Sequence, residues 1–167
     1  LLPSTFIHEF QHMISFNQHV LLRNGDTEAL WLNEALSHTA EELGGLHYDS
    51  LSQTATANTF LVGNLYDGFL YLRNPNEFAM VTESSTGTLE ERGGEWLFLR
   101  YLADRFGAGI LKQLVATSDL GAANVVARTG TPFATLLGRW ALAVYVTDLA
   151  SFAAPPPLTF STWRFRT

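Results

Sequence analysis

The feature that most restricts this sequence is a pair of histidines, His8 and His12, four residues apart in a segment rich in large apolar side chains. Positions i and i+4 stand one above the other on a helix, so both imidazoles would share one face. Ser4 or Thr5 is a suitable N-cap and Asn24-Gly25 a suitable terminator, which predicts a helix over 4–22. Phe6, Phe10 and Met13 fall on one side of it, Ile7 and Ile14 flank them, and Phe16 adds a third apolar direction. A helix this apolar around its circumference is expected to be largely buried. Two histidines and Glu9 then have little reason to lie in it without partners.

The rest of the chain also reads as helical. Asp26 or Thr27 would cap a second helix to about Leu43, stopped by Gly44-Gly45, with an apolar stripe of Leu32, Ala35, Leu36, Thr39 and Leu43. After a loop around 47–53, a third helix is expected over 57–72 and ends at Asn74-Pro75-Asn76. Residues 82–93 are polar and glycine-bearing and read as a surface loop. A helix over 94–106, ended by Gly107, is followed by shorter ones over 110–116 and 122–128 and by one opened at Thr131-Pro132 and reaching about Thr147. Trp96, Phe98, Trp140 and Tyr145 recur at helical spacing among aliphatics and are read as core. No internal repeat and no multi-strand pattern is evident, so the expected class is all-α, with a helical domain over 1–154 and an extended tail over 155–167 begun by Pro155-Pro156-Pro157.

Composition narrows the function. The chain has 167 residues, a net charge of −6 and no basic stripe, which argues against nucleic acid and against an anionic membrane surface. No apolar run reaches the ~18–20 residues of a membrane span. The absence of cysteine removes disulfides, thiolate metal sites and a cysteine nucleophile together. The chain opens at Leu1-Leu2-Pro3 with neither initiator Met nor signal peptide, so upstream sequence is expected to be missing.

His8-Glu9-Phe10-Gln11-His12 is an HExxH motif. Its histidines can reach one ion, while Glu9, rotated by about 100°, borders the same pocket without coordinating. A zinc ion there would acidify its bound water, and the neighbouring carboxylate would take the proton. Three protein ligands are usual for such a site. No histidine follows at metzincin spacing, since position 15 is Ser15 and His19 lies too far along the helix. The next helix instead carries Trp31-Leu32-Asn33-Glu34-Ala35-Leu36-Ser37-His38, where Glu34, His38 and Glu41 share the face opposite the apolar stripe. A short turn between antiparallel helices would bring Glu34 to the ion; read without the first helix, the same three residues would be a wet helix face.

HEFQH followed by WLNEALSH resembles the gluzincins, metallopeptidases whose third zinc ligand is the glutamate of an Asn-Glu segment in a later helix. Within them, HEFQHMISFNQ with WLNEALSHTAEEL is most similar to the hyicolysin-like peptidases and related secreted bacterial proteins. The resemblance spans most of the chain, but its diagnostic chemistry lies in the first 42 residues. It implies that His8, His12 and Glu34 hold Zn2+ and that Glu9 is the general base. It further implies a peptide or protein substrate, an extracellular or cell-envelope location, and a thermolysin-like helical subdomain whose N-terminal sheet lobe is absent from this sequence. Thermolysin-like enzymes have an aspartate four residues after the ligand glutamate to orient a zinc histidine; here that position is His38, and Glu41 either replaces the aspartate or orients His38. Arg92 and Tyr66 are the candidates for stabilising the oxyanion of the tetrahedral intermediate. A non-catalytic, zinc-stabilised helical module is the rival reading, and cobalt, nickel or manganese would suit the same ligands.

Overall fold

A computed structural model describes residues 2–82 and 87–166. Among them are seven α-helices and no strand: α1 (Pro3–Phe16), α2 (Leu30–Ser50), α3 (Thr54–Arg73), α4 (Leu89–Phe106), α5 (Gly109–Val115), α6 (Gly121–Thr129) and α7 (Phe133–Val146). The all-α expectation is met. Among the described residues no helix is long and apolar enough to cross a membrane.

Helices α2, α3 and α4 pack against one another, and α1 lies along α2. The core is built by Trp31, Leu32 and Leu36 of α2, Trp96, Phe98, Tyr101 and Leu102 of α4, and Leu136 and Trp140 of α7. Trp96, Phe98 and Trp140 are core residues as expected, whereas Tyr145 is 65% exposed. It sits on the outer side of α7 beneath the Arg166 guanidinium, so helical spacing alone did not fix its direction.

Several boundaries differ from the sequence reading for local reasons. Helix α1 begins with Pro3 in its first turn after Leu2, where the missing amide costs nothing, instead of at a Ser4 or Thr5 cap. It passes at Asn17–Leu21 into a π-helical turn, with Leu22 N bonded to Asn17 O at 2.9 Å. Helix α2 starts at Leu30, beyond Asp26 and Thr27, and runs through Gly44-Gly45, so His47 and Tyr48 are helical and not in a loop. Those glycines serve a close approach: a Cβ on Gly45 would lie 2.4 Å from Leu61 Cγ of α3, and one on Gly44 3.1 Å from the Phe60 ring. Helix α4 begins five residues earlier than expected, at Leu89, because Thr88 and Glu91 form a capping box. The expected loop over 82–93 therefore holds a helical turn at its end, while 83–86 lie outside the described residues.

The α3–α4 contact is tighter still. A Cβ on Gly93 would fall 2.2 Å from the carbonyl carbon of Asp67, and one on Gly94 2.7 Å from the Tyr71 ring, so the two backbones touch. The tail after Pro155 makes a short 3₁₀ turn at Pro156–Leu158 and returns to α4. Tyr101 donates to Pro157 O at 2.7 Å, Phe160 is buried, and Trp163 donates its indole N–H to Glu42. Glu42 also accepts from the Arg100 guanidinium, making a wholly buried ion pair that joins α2, α4 and the tail.

The largest departure concerns α1. Phe6, Phe10, Met13, Ile14 and Phe16 are exposed, between 37% and 66%, where burial was expected. The face laid on α2 is instead the polar one, including His8, His12 and Ser15. Of the apolar side chains, Ile7 is half-buried beside Gly44 of α2, while the three phenylalanines, Met13 and Ile14 look outward.

Candidate metal centre

Each histidine of α1 meets α2 through both ring nitrogens. His8 Nε2 lies 3.5 Å from Glu34 Oε2, and His12 Nε2 lies 3.6 Å from Glu34 Oε1. One ligand atom from each of the three residues falls within 4.8 Å of the other two. The imidazoles are edge to face with centroids 4.8 Å apart, as i, i+4 stacking dictates.

The far nitrogens determine what the near ones offer. His8 Nδ1 is 3.1 Å from Glu41 Oε1, a carboxylate that can only accept, so Nδ1 carries a hydrogen, and Nε2 would present a lone pair on the Glu34 side once a cation displaced its own proton. Ser37 Oγ donates to Asn33 O at 3.1 Å, leaving the hydroxyl oxygen to accept from His12 Nδ1 at 3.2 Å. His12 Nε2 is then a free lone pair. Two imidazole nitrogens and a carboxylate thus converge, each histidine backed by an acceptor on α2, and Glu34 Oε2 is buried without a hydrogen-bond partner among the described residues. This donor set fits a zinc-sized divalent cation with three protein ligands.

The electrostatics point the same way. Burial by itself would lower the His8 pKa, but hydrogen bonding and charge from Glu34 and Glu41 outweigh it and push it up to about 9. Burial would raise Glu34, yet His8, Arg92 and His12 hold it below the ordinary carboxylate value. Glu41 is likewise lowered against its burial by His38 and His8. The pocket is an anionic cage that stabilises positive charge between its walls.

His38, Glu41 and the other edge of His8 form an adjoining group, also within 4.8 Å. Here the contacts are hydrogen bonds and not converging lone pairs. Glu41 spans the two rings, 3.1 Å from His8 Nδ1 and 3.5 Å from His38 Nδ1. His38 Nδ1 also faces Asn64 Oδ1 at 2.8 Å, while Asn64 Nδ2 donates to His38 O at 2.8 Å. Glu41 therefore stands behind His8 and also approaches His38.

The remaining candidates separate. Glu9 is exposed on α1 and, among the described residues, has no hydrogen bond or ion pair to the cluster. Arg92, in the first turns of α4, places Nε 3.6 Å from Glu34 Oε2. Tyr66 is 58% exposed on α3 and makes no ring contact or hydrogen bond with the cluster among the described residues. His19, seven residues past His12, is turned inward by the π-helical turn and lies 3.7 Å from buried Glu28.

Sequence reasoning missed Ser37, Asn64, Asp67 and Glu95. Ser37 stood between two named candidates; Asn64 and Asp67, three apart in the apolar stretch 60–72 of α3, were a readable signal. Glu95 is fully buried in α4, where burial first, then the charges of Glu34 and Glu91, push its pKa up to about 8 despite a 2.9 Å hydrogen bond from Thr82 Oγ1. No protein-family model matches the chain, and no curated protein matches it either.

Proposed function

We propose that the chain is the helical, metal-bearing part of a gluzincin-type zinc peptidase, with His8, His12 and Glu34 as ligands and Glu9 as general base. The observation that carries this reading is the pairing of each ligand histidine with its own acceptor, Glu41 for His8 and Ser37 for His12, so that both Nε2 atoms face Glu34. Zinc held there by His8, His12 and Glu34 would supply a Lewis acid to activate water. The chain's own part is then proton handling and positioning. Glu9, one position from His8, takes the proton from the attacking water and passes it to the leaving amine as the peptide C–N bond breaks. Arg92, 3.6 Å from Glu34 Oε2, steadies Glu34 and is the candidate cation for the oxyanion. An open concavity of about 490 Å³ beside His12, walled by Met13, Phe16 and Leu21, offers an apolar side chain of a peptide somewhere to rest. An extracellular or cell-envelope setting belongs to the same reading through the resemblance.

Glu9→Gln tests it. Zinc content should persist at one ion per chain while peptide hydrolysis falls by roughly 10²–10⁴-fold. Full activity in the variant would remove Glu9 from the mechanism.

One observation favours a second reading. Glu9 is exposed and, among the described residues, without a partner, and the aromatic face of α1 is open to solvent. A non-catalytic zinc-stabilised module, or a fragment inactive without a further lobe, has the same ligands. Stoichiometric zinc binding with no cleavage of a peptide library would establish it over the enzyme.

A further inference from the structure

Glu41 is approached from two sides. Across the helix pair its Oε1 lies 3.1 Å from His8 Nδ1, and within α2 its Oε2 lies 3.5 Å from His38 Nδ1, three residues back. Helical spacing supplies the second contact unaided, since residues i and i+3 are neighbours on one face. The two compete, because a carboxylate stabilised by a full hydrogen bond from one ring is a weaker acceptor for the other.

Asn64 of α3 decides between them. It is 2% exposed, and both ends of its amide meet His38. The backbone carbonyl of His38 can only accept, so the Asn64 group 2.8 Å from it is the amide nitrogen. The group facing His38 Nδ1, also at 2.8 Å, is therefore the Asn64 carbonyl oxygen. That oxygen too can only accept, so Nδ1 carries a hydrogen and gives it to α3. The 3.5 Å approach of Glu41 to the same nitrogen is beyond ordinary hydrogen-bond length.

We propose that Asn64 is a positioning residue for the metal centre, taking the Nδ1 hydrogen of His38 so that the Glu41 carboxylate stays committed to His8. That role rests on the reading of His8 as a metal ligand. Among the described residues the Asn64 side chain bonds to His38 alone, so it acts on the centre through His38 and Glu41 in turn.

Imidazole nitrogen NMR of the metal-free wild-type protein is the first test. His38 Nδ1 should carry a hydrogen that is coupled to Asn64; a bare Nδ1 overturns the proposal without any variant. The second test is a double-mutant cycle, read as zinc affinity by chelator competition and, in metal-free protein, as the chemical shift of the His8 Nδ1 proton. Asn64→Leu removes both ends of the amide at similar size and frees the His38 hydrogen for Glu41. It should weaken zinc roughly three- to tenfold, less than the loss of a residue that touches a ligand directly. His38→Phe takes the competing hydrogen away, so in that background Asn64→Leu should change zinc affinity by less than about twofold. If Asn64 only supports the contact between α2 and α3, its loss lowers the melting temperature and leaves zinc affinity unchanged, or weakens zinc equally with and without His38. Either result overturns the proposal. A wild-type chain that binds no zinc overturns the metal-ligand reading instead. The His8 proton signal then tests Asn64 by itself, shifting with Asn64→Leu in the wild-type background and staying put in His38→Phe.

Discussion

Helices α1 and α4 solve opposite problems with similar raw material. Both are rich in aromatic and aliphatic side chains. Helix α4 turns Trp96, Phe98, Leu99 and Leu102 inward until almost none of their surface meets water. Helix α1 turns His8, His12 and Ser15 inward and leaves three phenylalanines outside. The first arrangement follows from removing apolar area from water. The second runs against it, and α2 answers it at the two histidines, meeting His8 with Glu34 and Glu41 and His12 with Glu34 and Ser37, while the Ser15 hydroxyl is buried without a partner among the described residues. A helix that buries its polar face and displays its apolar one is organised around what it holds, not around the core.

The sharpest way to break this contrast is to truncate one aromatic on each helix. Phe98 is fully buried against Trp31, Phe133 and Trp140, so Phe98→Ala should cost about 3–5 kcal/mol in urea denaturation. On the α1 side the informative change is polar. Glu41→Gln keeps an acceptor for His8 Nδ1 but removes its charge, and zinc affinity measured by competition with a chelator should fall roughly 10–100-fold with little change in the metal-free melting temperature. An unchanged affinity would mean that Glu41 does not orient a ligand.

Glu95 tests α4 from the polar side. Its folded pKa, about 8, lies above the ordinary 4.5, so the folded state keeps a proton that the unfolded state loses. Stability from this group is complete below pH 4.5 and is lost as pH rises toward 8, by at most about 1.4 kcal/mol per pH unit. Glu95→Gln lacks that loss, so its melting temperature relative to wild type should climb across this window in metal-free protein. A constant difference would place the carboxylate in contact with water. The smallest effect is expected at Phe10, 48% exposed and stacked only on Phe6: Phe10→Ser should change stability by no more than about 0.5 kcal/mol. A cost near that of Phe98→Ala would show that the outward face of α1 is covered in solution.

What was readable beforehand follows the same division. The spacing of His8 and His12, and the placement of Glu34 opposite the Leu32/Leu36 stripe, are consequences of one helical period and were legible from local sequence. The fully buried core aromatics were legible for the same reason. Whether α1 would be covered depends on how many neighbours reach it, which no local pattern records. Gly44-Gly45 looked like a stop because glycine usually ends helices, and only the approach of Phe60 and Leu61 shows its other use. Asn64 and Glu95 reach the centre through packing between distant helices, so their roles emerged with the tertiary arrangement.

The glycine at position 93 acts on the centre from a distance. With no side chain between them, the α3 and α4 backbones rest directly on each other, and the two residues before and after this point are held as if by a mechanical stop. Arg92 precedes it immediately and owes its reach toward Glu34 to that seating. Even a methyl group there would act as a wedge, tipping the first turns of α4 outward and carrying the guanidinium with them. The tolerance of the proposed metal site is thus set partly by a residue that offers it no atom at all.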